Sequence, residues 1–99
     1  MLSKPLAQLA PRLLADFDKP KGRILIHIDD AHEVIRIIYH KPRHGEYSLI
    51  VGPSRRPEHG PDEYAVAFGD TFFGSLTDVE NFTRNMLRAL LGKEWRDAE

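Results

Sequence analysis

ILIHIDDAHEVIRIIYH, residues Ile24–His40, is the stretch that decides the fold. Ile24, Ile26 and Ile28 alternate with Leu25 and His27; Ile35, Ile37 and Tyr39 alternate with Val34, Arg36, Ile38 and His40. Alternation with period two sends successive side chains to opposite faces, the pattern of a β-strand. Asp29-Asp30-Ala31-His32 between the runs has turn composition. The spacing predicts a hairpin in which Ile28 faces Glu33, Ile26 faces Ile35 and Ile24 faces Ile37. That register gathers the isoleucines on one face.

Working outward, Pro42-Arg43-His44-Gly45 turns the chain again. Tyr47, Leu49 and Val51 then form a third predicted strand, opposite Tyr39, Ile37 and Ile35, with His40 facing Glu46. A loop rich in proline and glycine runs from Gly52 to Asp62. Tyr64, Val66 and Phe68 read as a fourth strand, and Gly69-Asp70 suits a tight turn. Thr71–Leu76 is a short fifth strand or an extended entry to the final helix. Short links between neighbouring strands specify antiparallel neighbours, hence a meander.

Helical patterning brackets the strands. Thr77 and Glu80 have the spacing of a capping box. Apolar residues follow at Val79, Phe82, Met86, Leu87, Leu90 and Leu91, a one-sided stripe that Gly92 ends and Trp95 would extend. Upstream, Leu2, Leu6, Leu9, Leu13 and Phe17 form another stripe, with Ser3 as a cap. Pro11 interrupts it, so this segment reads as one bent helix or as a loose lead-in to a short helix. The expected fold is α+β: a single domain over residues 1–99. An antiparallel meander of four to five strands carries an N-terminal amphipathic helix, and a C-terminal helix packs on its Ile/Tyr/Val face.

The element order, with its early amphipathic helix and Gly22…Ile28-Asp29-Asp30 strand, resembles that of small bacterial secretion chaperones over the first half of the chain. Those chaperones carry a helix between the third and fourth strands, where this chain has its Gly52–Asp62 loop. The likeness therefore stays at the level of element order.

Composition narrows the classes. The 99 residues are 41% apolar and 29% charged, which is globular and sufficient for one core. The sequence has no cysteine, so disulfides, thiolate metal sites and a cysteine nucleophile are excluded; the cytoplasm is the expected location. No apolar run is long enough to span a bilayer, no membrane association is expected, and the first residues make a poor signal peptide. Net charge is −1, but residues 19–56 hold eight Lys/Arg against four Asp/Glu, a net +4. Residues 57–99 hold four against nine, a net −5. Such a split suits an anionic ligand or head-to-tail self-association.

No phosphate loop, nucleophile elbow or zincin motif is present. His27, Asp29, Asp30 and His32 cluster at the first hairpin and are metal-ligand types, although turn formation already explains the aspartates. Ser48 and Ser54 have no histidine placed beside them by sequence. Lys19, Lys21, Arg23, Arg36, Lys41, Arg43, Arg55 and Arg56 form a basic set able to contact phosphates, but the three tyrosines fall on the core face, away from any stacking role. Adjacent Phe72 and Phe73 must point to opposite sides of an extended chain, so one leaves the core.

The face opposite the isoleucines is the most informative. Leu25, Val34, Ile38 and Ile50 lie there beside Arg23, Arg36 and His40. A solvent-facing sheet does not normally collect such aliphatics, so a cover is expected: the N-terminal helix, a second copy or a partner. The expected function is non-catalytic protein binding by an adaptor, inhibitor or chaperone-like regulator, acting as a homodimer and without a cofactor. Its binding residues would be Arg23, Leu25, Arg36, Ile38, Ile50, Arg55 and Arg56. A single-stranded nucleic-acid-binding module is the first alternative, and a small metal protein or enzyme at the first hairpin the second.

Overall fold

A computed structural model describes residues 2–17 and 23–92. The predicted contributions of Lys19, Lys21 and Trp95 lie outside the described residues. Helix α1 spans Lys4–Phe17, followed by strands β1 (Ile24–Asp29), β2 (Val34–Lys41), β3 (Gly45–Pro53), β4 (Tyr64–Phe68) and β5 (Asp70–Gly74), then helix α2 (Leu76–Leu91). The strands form one sheet in the order β1-β2-β3-β4-β5, each antiparallel to its neighbour. The expected α+β meander is therefore the fold, with five strands.

Between β2 and β3 the register matches expectation: Tyr39 faces Tyr47, Ile37 faces Leu49, Ile35 faces Val51 and His40 faces Glu46. The first hairpin differs. Ile28 faces Ile35, Ile26 faces Ile37 and Ile24 faces Tyr39, a shift of two residues. The cause is the turn. Asp29 accepts a hydrogen bond from the His32 backbone N–H at 3.2 Å, Glu33 N–H donates to Asp30 O at 3.3 Å, and Glu33 takes a left-handed φ of 57°. Residues 30–33 are thus consumed by the loop, and Asp29 pairs with Val34. An even shift preserves which face each side chain occupies, so the isoleucine face survives.

The helix start is also two residues from its expected place. Ser75, not Thr77, is the N-cap: its Oγ accepts from Asp78 N–H at 3.2 Å, and its own N–H donates to Asp78 Oδ2 at 3.4 Å. Thr77 then falls in the exposed first turn. Ser75→Ala should lower stability by about 1 kcal/mol, while Thr77→Ala should change it by less than about 0.5 kcal/mol. Equal costs in urea unfolding would place the cap at Thr77 after all.

Glu80, outside the box, ties the helices together. It accepts from Arg84 at 2.9 Å and from Arg12 of α1 at 2.8 Å, and Arg84 also bonds Asp16 of α1. Partial burial pushes the Glu80 carboxyl up, but the hydrogen bonds from Arg12 and Arg84 outweigh it and hold the group below its ordinary value. A carboxylate lowered in this way stabilises the fold above its unfolded pKa, and that contribution disappears as pH falls through the folded value. Glu80→Gln should therefore cost about 0.5–1 kcal/mol at neutral pH, allowing for solvent screening, and nothing in strong acid. Melting curves of both proteins from pH 7 down to pH 2 would show the gap closing.

Helix α1 is continuous through Pro11. Pro11 and Ala7, whose carbonyl would otherwise accept from residue 11, are both exposed, so water can satisfy that carbonyl. Leu6, Leu9, Ala10, Leu13 and Phe17 are buried in one cluster with Ile35, Ile37, Tyr39, Leu49, Val51, Val66, Val79 and Leu87. Both helices thus pack on the same sheet face. The N-terminal helix does not cover the second face.

Candidate functional site

The second sheet face, which neither described helix covers, is built by strand register. One cross-strand row runs His27, Arg36, Ile50, Ala67 and Thr71. A flanking row is Leu25, Ile38 and Ser48. On the other flank Asp29 faces Val34, and Gly52, Ala65 and Phe73 continue toward β5. The Val34 side chain lies directly over Gly52: a Cβ added there would stand 2.7 Å from Val34 Cγ1. At the outer end His40 N–H donates to Arg23 O at 2.8 Å, setting Arg23 beside His40, which faces Glu46 on its other side. Leu25 is the most exposed large apolar residue described, at 61%, while Val34, Ile38 and Ile50 are half-buried by one another and by the pleat.

The charges along this face are organised. Asp29 accepts from His32 Nδ1 at 2.8 Å and from Arg36 Nε at 3.2 Å. The His32 hydrogen bond, with Arg36 assisting, holds the Asp29 carboxyl below its ordinary value. Asp30 is used differently, accepting from Leu2 N–H at 3.1 Å. Among the described residues no three His, Asp or Glu side chains gather as metal donors. Of the four hairpin residues, Asp29 and His32 meet, and neither His27 nor Asp30 joins them as a third donor.

Of the expected binding residues, Arg23, Leu25, Arg36, Ile38 and Ile50 come together on the face. Arg55 and Arg56 sit at its border, on the loop after β3, and each has a local task. Arg55 donates to His32 O and lies 4.0 Å from Glu33 Oε2, clamping the first hairpin. The Arg56 guanidinium covers the Phe73 ring at 4.5 Å and pairs with Glu58 at 3.7 Å. Tyr39 is fully buried, and Tyr47 and Tyr64 pack against the core, as expected.

Sequence spacing alone does not suggest the cluster under this loop. His59 Nδ1 lies 2.6 Å from Ser54 Oγ, and the His59 ring meets Phe73 edge-on at 5.0 Å. Ser54 N–H donates to Glu63 O at 2.9 Å, closing the loop at its base. The Ser54 hydroxyl also accepts from Arg56 N–H at 3.3 Å, so the pair staples a turn. Strand parity is the one sequence signal for Phe73. It points away from the core, while Phe72 stacks on Phe82 of α2 at 4.7 Å.

No helix among the described residues is long and apolar enough to cross a membrane. Compared with known proteins, the chain matches no protein-family model, no curated protein and no solved structure.

Proposed function

We propose that this chain is a non-catalytic protein-binding module, an adaptor, inhibitor or chaperone-like regulator, that engages its partner through the uncovered sheet face. One observation carries the reading. Both helices pack on the isoleucine face, which leaves Leu25, Val34, Ile38 and Ile50 in contact with solvent beside Arg23, Arg36 and His40. Leu25 beside Ile38, with Ile50 diagonal to Ile38 and to Val34 and with Arg36 set among them, is a mixed apolar and charged surface of the kind that binds protein: the aliphatics supply desolvation and the charges supply orientation.

The nucleic-acid alternative draws less support. Arg36, Arg55 and Arg56 each bond a group within the chain, and the tyrosines are spent on the core. Immobilised wild type and an Ile38→Lys variant, compared in pull-downs, test the proposal. Retention of a defined protein by wild type and its loss in a variant of unchanged melting temperature is the expected result. Equal retention by both would overturn it. So would capture only of short single-stranded oligonucleotides, lost steeply with salt.

A further inference from the structure

Among the described residues strand β1 is an edge of the sheet, and its chemistry is that of an edge able to pair. The His40 N–H to Arg23 O bond fixes the alternation. Arg23, Leu25, His27 and Asp29 turn their backbone groups toward β2, so the N–H and C=O groups of Ile24, Ile26 and Ile28 point outward. No described element pairs with that edge. Natural edges are blunted by lysine, proline, bulges or short length. Ile24–Asp29 contains neither lysine nor proline, and its six residues pair with β2 without a bulge. The opposite edge differs. β5 begins at Asp70 and ends at Gly74, and its Phe72 is stacked on α2.

Apolar exposure concentrates at the same place. Among the described residues the exposed large hydrophobics are Leu14, Leu25, Ile28 and Phe72; two of these four belong to β1 and Leu14 lies beside it. Ala10, Pro11 and Leu14 of α1, with Ile26 and Ile28, line an apolar groove of about 220 Å³ along it.

We infer that β1 pairs antiparallel with β1 of a second copy, about a two-fold axis through Ile26, to make one ten-stranded sheet. The register follows from self-complementarity. With Ile26 opposite Ile26 of the second copy, Ile24 meets Ile28 and Ile28 meets Ile24, so all three outward-facing residues exchange hydrogen bonds. On the other face Leu25 meets His27, and Arg23 meets Asp29, placing opposite charges together at both ends. Shifting by one pleat toward the C-terminal end of β1 would oppose His27 to His27 and Leu25 to Asp29. Shifting the other way would oppose Arg23 to His27. The Ile26-centred register alone sets isoleucine opposite isoleucine at all three outward positions and opposite charges at both ends. Ile24 and Ile26 of the second copy then stand at the mouth of the Leu14 groove. A two-fold axis normal to the sheet keeps all four helices on one side and joins the two uncovered faces into one surface.

This inference gives the homodimer expected from the sequence an interface, and it does not rest on the proposed binding face. Light scattering of the full chain across a concentration series tests it. Wild type should reach twice the 11.3 kDa chain mass. Ile28→Pro removes an outward N–H and no bond to β2, so it should fall to chain mass while still melting cooperatively. Ile38→Lys, which alters the uncovered face but not the edge, should stay dimeric even where partner binding is lost. Ile26→Cys should give a covalent dimer on oxidation. A hydrogen-bonded antiparallel pair spaces its Cα atoms about 5.5 Å apart, within disulfide reach, and the chain has no cysteine to compete. Wild type at chain mass throughout, a folded Ile28→Pro that remains dimeric, or no covalent dimer from Ile26→Cys would each overturn the inference. Should Ile28→Pro not fold, the Ile26→Cys result decides alone.

Discussion

Phe17→Ala should destabilise the protein by about 3–5 kcal/mol, the range for removing a fully buried aromatic side chain. Phe17 closes α1 and is 0% exposed. It sits where α1, the sheet and α2 meet, with the Arg84 guanidinium 6.0 Å from its ring centroid. Arg84 also bonds Asp16, the residue before Phe17, and Glu80 of its own helix, so the two helices meet in packing and in ion pairs at the same place. A small domain has only about 5–15 kcal/mol in all. The variant should therefore unfold at much lower urea concentration, and α1 should lose hydrogen-exchange protection first. Gln8→Ala, on the exposed side of the same helix, should cost less than about 0.5 kcal/mol. If the two variants unfold alike, α1 does not dock through Phe17.

Gly52→Ala should cost about 1–3 kcal/mol, the penalty of overpacking a closed site. Gly52 is buried within β3, and its added Cβ would stand 2.7 Å from Val34 Cγ1 and 3.3 Å from Glu33 O. One neighbour is a stiff branched side chain and the other is backbone at the first hairpin, so neither yields freely. Alanine's lower unfolded-state entropy offsets only part of this, about 0.4–1 kcal/mol. Val34→Ala in the same chain removes the closer of the two obstacles. The double variant should then be more stable than the summed single costs imply, and strictly additive costs would show that Val34 is not the obstruction.

Much of this fold is legible in the chain's apolar pattern. Alternation along Ile24–His40 and Tyr47–Val51 assigns each side chain to a face, and the β2–β3 register follows once the short Pro42–Gly45 turn sets the loop length. What alternation cannot sense is a slip of two residues, because the face pattern is unchanged. The first hairpin slips by that amount. The Asp29–His32 turn, held by a side-chain-to-backbone bond, sets the loop length. The α2 cap slips in the same way, since Ser75/Asp78 and Thr77/Glu80 are overlapping boxes of equal local merit. Two features of the tertiary structure favour the first: the place where β5 ends, and the engagement of Glu80 by Arg12 from the other helix.

The candidate site divides along the same line. Parity places Leu25, Ile38, Ile50, Arg23 and Arg36 on one face. It cannot place Arg55 and Arg56, whose positions depend on loop contacts with His32, Glu33 and Phe73.

By itself, then, the sequence determined the strands, their faces and an aliphatic surplus on the second face, because hydrophobic periodicity is a local property of the chain. Only the tertiary structure decided what happens to that surplus. The Leu6/Leu9/Leu13/Phe17 stripe would read the same whichever face it covered. It joins α2 because there it meets Ile35, Ile37 and Leu87 in one continuous core, and its ion pairs with α2 close over the seam. Among the described residues, the second face is left without a helix as a consequence of where the first helix found the most apolar surface to bury.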